Sequence, residues 1–120
     1  MKLVIVESPY AGEVELNVAY ARWALGDCLR RGAESPIASH LLYTQPGVLN
    51  DLIPEERALG IAAGLAWRRA ADLSVFYLGR GWSNGMRAAV ESARREGRPY
   101  ELRDVPPTVS ADMTGSTDGA

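Results

Sequence analysis

Leu73-Ser74-Val75-Phe76-Tyr77-Leu78, L-S-V-F-Y-L, is the stretch on which the fold turns. Six residues, five of them apolar and rich in β-branched and aromatic types, are too few for a helix and suit a strand buried on both faces. Before it, Pro54 opens a helix that carries Ile61, Leu65 and Trp67 and ends near Ala71, with Glu55 and Glu56 in the positively polarised first turn. After it, Ser83 or Asn84 caps another helix that stops near Gly97, and Pro99 to Arg103 reads as a final edge strand. Toward the N-terminus, Leu3 to Val6 is a second β-branched run, closed by Ser8-Pro9. A helix over Val14 to Arg31 follows, with Val14, Val18, Ala21, Leu25, Cys28 and Leu29 at helical spacing and Gly32 beyond its end. A weaker strand, Pro36 to Ser39, precedes a long loop, His40 to Ile53.

The order is β-α-β-α-β-α-β, which predicts an α/β fold: a Rossmann-like or flavodoxin-like parallel sheet of about four strands sandwiched by helices. Continuous apolar strands fit a sheet covered on both faces. Residues 1–105 make one such domain, and 106–120, rich in Pro, Thr, Ser, Asp and Gly, read as a disordered tail.

Composition narrows the function classes. Of 120 residues 47% are hydrophobic and 23% charged, with a net charge of -2, which counts against sequence-independent nucleic-acid binding. The lone Cys28 excludes an internal disulfide and reads as buried filler in a reducing, cytoplasmic setting. No run is long and apolar enough for a membrane span, so no membrane partner is expected. His40 is the only histidine and no second cysteine stands nearby, so no metal site is expected, and no cofactor either.

Ligands of open parallel sheets sit outside the carboxyl ends of the strands. Three loops leave strands there, and each concentrates unusual residues. In E-S-P-Y-A-G, Gly12 lets backbone approach a ligand and Tyr10 can stack on a base, with Ser8 beside it; an ordinary strand-to-helix turn explains the same residues equally well. Neither a G-x-G-x-x-G nor a P-loop signature is present. In the second loop Tyr43 and Gln45 can reach a base edge or pack the loop, and His40 reads as a site residue or a hydrogen-bonded structural one. Arg57, in the first turn of the next helix, reads as a partner for a ligand anion or for a surface salt bridge. In G-R-G-W-S-N-G-M-R, Ser83, Asn84 and Gly85 begin a helix that can cradle a phosphate, Met86 follows them, and Trp82 reads as an exposed contact residue. Arg68 and Arg69 read as a solvated helix end.

V-E-S-P-Y-A-G, Asn17, A-S-H-L-L-Y-T-Q, P-E-E-R-A-L-G-I-A-A-G-L-A-W, A-D-L-S-V-F-Y and S-N-G-M-R-A-A-V-E-S-A-R-R-E-G-R-P span nearly everything up to Arg103. In these pieces the chain resembles the nucleoside 2-deoxyribosyltransferase-like branch of the Rossmann-type nucleotide-processing proteins, most specifically small phage and bacterial domains of unknown function. The resemblance implies a nucleoside pocket at the strand ends, with Asn17 among its residues, and a homo-oligomer, dimer or higher, whose neighbouring subunit helps close it. The transferases carry G-[TM]-x-x-E-h-G-x-A on the last helix, the glutamate being the nucleophile. Here that stretch runs from Gly85 to Ala93 and the nucleophile position is Ala89, which cannot form a glycosyl-enzyme. Glu91 lies about 200° further round a helix and does not replace it. Glu7, Asp51, Glu56 and Asp72 remain as acids or bases, Asp72 matching the family's acidic residue before the third strand.

The expectation is therefore a binder that senses or sequesters a nucleotide or ADP-ribose-like small molecule without catalysis, such as a phage protein holding a host signal nucleotide. An N-glycosidase or deoxyribosyltransferase with a relocated carboxylate is the alternative, and a structural interaction domain the third class.

Overall fold

The computed structural model describes residues 1–105. In chain order the elements are β1 (Lys2–Glu7), α1 (Val14–Arg30), β2 (Glu34–Ile37), α2 (Ser39–Leu42), α3 (Pro54–Ala70), β3 (Leu73–Tyr77), α4 (Asn84–Glu96) and β4 (Tyr100–Arg103). The strands form one all-parallel sheet in the order β2-β1-β3-β4, flanked by helices, as the alternating pattern predicts.

The register divides the core. Val4, Val6, Val75 and Tyr77 point to one face, where Tyr20, Ala24 and Cys28 of α1 cover them. Phe76 points to the other and packs on Met86, Ala89 and Val90 of α4. Glu7, paired in register with Phe76, shares that second face and meets α3 there through Arg68. Right-handed crossovers require this arrangement, because only the β1-to-β2 connection runs in the opposite direction along the sheet.

Local chemistry sets the ends. Ser83 Oγ accepts the Met86 N–H at 3.1 Å and caps α4, and Gly97 ends it with φ of 65°. Pro54 starts α3, where its missing N–H costs nothing.

Four expectations are corrected. The second strand lies at Glu34–Ile37, not Pro36 to Ser39, because Ser39 already begins α2; Pro36 is tolerated since β2 is an edge strand. The segment from His40 is accordingly not all loop. The buried stripe of α1 is Asn17, Tyr20, Ala21, Ala24 and Cys28, whereas Val14 and Leu29 are exposed, the polar Asn17 having a task inside. Trp82 is half-buried, its ring 5.7 Å from that of Phe76, because the turn after β3 folds back on the sheet. The tail assigned to 106–120 lies outside the described residues.

Candidate functional site

The β1 strand delivers Glu7, Ser8 and Pro9 buried, then Tyr10 at the surface. The turn that follows has Gly12 at φ of 96°, a backbone state that L side chains rarely adopt. Buried Asn17 holds this turn: its Nδ2 donates to the carbonyls of Tyr10 and Ala11, both at 3.1 Å. Its Oδ1 accepts Arg80 Nε at 2.8 Å, and Arg80 Nη2 donates to Glu13 at 2.9 Å. The Gly79 N–H donates to the Tyr20 hydroxyl at 2.8 Å. The loops after β1 and β3 are thus tied together, and Arg80 bridges the point where strand order reverses.

Open space lies on the other side of the first loop. A cleft of about 770 Å³ runs between Tyr10, Ala11, Gly12 and Val14 on one wall and Thr44, residues 46–52 and Glu56 on the other. That is the volume of a small-molecule site. Its apolar lining comes from Val14, Pro46, Val48, Leu49 and Leu52, with Leu52 90% exposed. Its carboxylates, Asp51 and Glu56, are engaged: Asp51 accepts Arg57 Nη1 at 2.9 Å, and Glu56 accepts the Asn50 N–H at 2.7 Å.

Beneath the strand ends lies a buried polar layer. Ser8 Oγ and His40 Nε2 share a hydrogen bond of 2.9 Å. Burial, helped by the positive charge of Arg68, lowers the His40 pKa to about 4, so the ring is neutral at physiological pH. Glu7 forms a two-pronged ion pair with Arg68, whose Nη2 lies 3.1 Å from Glu7 Oε1 while Nε bonds Oε2. Desolvation pushes the Glu7 carboxyl up, and the Arg68 hydrogen bond and charge offset part of that rise.

A pH dependence follows. The folded state refuses a proton that the unfolded His40 accepts, so stability falls as pH drops from 6.5 toward about 4. The contribution lost is about 3 kcal/mol. Thermal melts at pH 7 and pH 4.5 should show His40→Gln, which does not titrate, losing less stability over that interval than the natural chain.

The structure brings Tyr10 and Gly12 into the cleft, and sets Ser8 with His40 in the layer below. Asn17 acts through the loop it holds. Tyr43 and Gln45 are occupied: Tyr43 Oη accepts Trp67 Nε1 at 2.7 Å, and Gln45 Nε2 donates to the Leu41 carbonyl at 2.9 Å. Arg57 borders the cleft only through Asp51. Trp82, Ser83, Asn84, Gly85 and Met86 are not among its lining residues; Ser83 Oγ is spent on its cap and Met86 is core. Arg68 is no solvated end, its side chain being 17% exposed over Glu7. Arg80, unassigned from sequence, is the loop bridge, and a single cation between two glycines after a strand was its only signal. Of the four carboxylates, Asp72 is structural, its Oδ2 accepting the Leu3 N–H at 2.7 Å. Glu7 is held by Arg68, so Asp51 and Glu56 alone reach the cleft.

Comparison with curated proteins finds no match. Comparison with solved structures likewise finds none. A family model described as "Domain of unknown function (DUF7768)" matches residues 2–103, the whole of the sheet and its helices. The chain belongs to this family.

Proposed function

We propose that this protein binds a nucleotide or ADP-ribose-like small molecule in the strand-end cleft and holds it unchanged, to sense or sequester it. The carrying observation is the cleft itself: about 770 Å³ beside the β1 loop, walled by Tyr10, Gly12 and the 46–52 segment. Tyr10 offers a ring to a base and a hydroxyl to a sugar, and Gly12, having no side chain, allows close approach. Ala89 supports the non-covalent half of this reading, being 6% exposed and packed against Phe76 with no carboxylate to attack a sugar. A homo-oligomer accompanies it, and capture of a host signal nucleotide by a phage protein is the setting that the family resemblance suggests.

N-glycosidic cleavage is a second reading with its own observation, since Asp51 and Glu56 line the cleft. Water attacking the sugar directly would then take its base from one of them.

Mass spectrometry of bound and free fractions, after incubation with nucleosides, nucleotides and ADP-ribose derivatives, separates the two. An intact compound enriched on the protein is the expected result, weakened about tenfold, or about 1.4 kcal/mol, by Tyr10→Ala. Free base that accumulates with time, and stops accumulating in Glu56→Gln, replaces the binder with a glycosidase. Neither outcome would leave an interaction domain.

A further inference from the structure

Helix α3 has a face that the other described residues do not cover. Over 17 residues it buries only Gly64, and Leu59 on that face is 63% exposed, with Ile61 at 58% and Trp67 at 43% on its two flanks. The inward side explains why. Gly60 and Gly64 let α3 lie close on its neighbours: a Cβ at Gly64 would stand 3.2 Å from Ser39 Oγ, and one at Gly60 3.4 Å from Leu49 Cδ1. The opposite side carries Glu55, Ala58, Leu59, Ala62, Ala66 and Arg69, all exposed and all within one sector of the helix.

That sector is self-complementary. Reversed about Ala62, its sequence meets itself: Glu55 falls opposite Arg69 and Ala58 opposite Ala66, while Leu59 falls opposite the half-buried Leu65 at the sector's edge. Glu55 makes no ion pair among the described residues, and the Arg69 side chain is 57% exposed while holding Glu96. Small residues at the centre permit close approach of two helices, large apolar ones flank them, and opposite charges stand at the ends. A two-fold interface needs this same-patch complementarity.

We infer that two copies of this chain pair through α3, antiparallel about a two-fold axis at Ala62, with Glu55 of each facing the partner's Arg69. The pairing is independent of what the cleft binds, and gives the expected homo-oligomer a definite surface and order.

Light scattering coupled to size exclusion, with sedimentation at several concentrations, tests it on the full chain. The natural protein should have twice the chain mass at about 100 µM, well above the dissociation constant of a specific homodimer. Ala62→Glu, a helix-compatible change at an exposed position, puts two like charges on the axis and should give a monomer with unchanged circular dichroism. Glu55→Arg and Arg69→Glu each set like charges together at both ends and should weaken self-association about tenfold or more. Mixed in equal amounts, these two variants regain both opposite pairs and should form a heterodimer close to natural affinity. A natural chain that is monomeric at that concentration overturns the proposal. So does Ala62→Glu remaining dimeric, or a mixture of charge variants that fails to associate. A natural chain that dimerises only after removal of residues 106–120 would place that segment on α3 and overturn it too.

Discussion

Arg103→Leu should cost about 3–5 kcal/mol of folding stability, the loss expected when one partner of a buried ion pair is removed. For a domain of this size that lowers the melting temperature by about 15 °C or more. The Arg103 side chain is 4% exposed and sits on the α1 face at the end of the last strand. Nη1 donates to Glu34 Oε1 at 3.0 Å and Nη2 to Oε2 at 2.5 Å, so the last strand is fastened to the start of β2 at the far edge of the sheet. Nη1 also reaches the Tyr77 hydroxyl at 2.9 Å, and that hydroxyl donates to Asp27 at 2.7 Å. Desolvation and the hydrogen bonds with Cys28 and Asp27 push the Tyr77 pKa well above its ordinary range, against a smaller opposite pull from Arg103, so the phenol stays protonated. Leucine in place of Arg103 strands the Glu34 carboxylate, which the guanidinium holds below its ordinary pKa. Arg103→Leu with Glu34→Leu should recover most of the loss, because no charge is then left without a partner. Glu101→Gln removes only a rim partner, 47% exposed, and should change stability by less than about 0.5 kcal/mol. Chemical denaturation of the four chains measures all of this.

Arg68→Leu should be nearly as damaging, about 3–4 kcal/mol, for the same reason on the opposite face. Glu7 is 6% exposed on its side chain and has both carboxylate oxygens on Arg68. Without that guanidinium, desolvation is opposed only by the weaker charge effect of Arg98, and the carboxyl takes up a proton more readily. A carboxyl whose folded pKa lies above its unfolded value loses stability as pH rises through that range. The defect of Arg68→Leu should therefore be larger at pH 8 than at pH 5, and Glu7→Gln should relieve it at pH 8. Equal defects at both values would mean that Glu7 is not charged in the natural protein. The pair also bears on chemistry: a carboxylate chelated by arginine beneath the strand ends is a scaffold for Ser8 and His40, not a free acid or base.

The sheet was legible because its signals are local and agree with one another. L-S-V-F-Y at 73–77 and L-V-I-V at 3–6 have no competing helical period, and Pro54, Ser83 and Gly97 mark helix ends by their own chemistry. β2 was misplaced because Pro36 and Ile37 carry strand character while Ser39 is recruited into α2 by packing against Gly64, a contact 25 residues away. The site was legible at the level of loops and much less at that of side chains. Tyr10 and Gly12 line the cleft, as a strand-end glycine beside an aromatic suggests. Tyr43, Gln45 and Ser83 have their polar atoms engaged by partners that only the fold brings near, or by their own cap. Asn17 carried a signal of another kind, a polar residue on the stripe of α1 that faces inward. Arg103 and Arg68 carried none, since a buried arginine and a solvated one look alike until the carboxylate that meets it is known.

The two walls of the cleft differ in how they are held. Tyr10 to Gly12 is fastened by Asn17, itself braced by Arg80 from the far side of the sheet's midline. Among the described residues, the hydrogen bonds of residues 44–52 run only to partners between His40 and Arg57: Thr44 to the His40 carbonyl, Val48 to Gln45, Leu49 to Tyr43, Asn50 to Glu56, Asp51 to Arg57. One jaw is anchored in the sheet, and the other is a flap tied to the start of α3 through Glu56 and Arg57 and resting on it at Leu49 beside Gly60. A guest would be oriented on arrival by the fixed jaw, while its residence time is set by how firmly the flap, with Leu52 at its tip, settles over it.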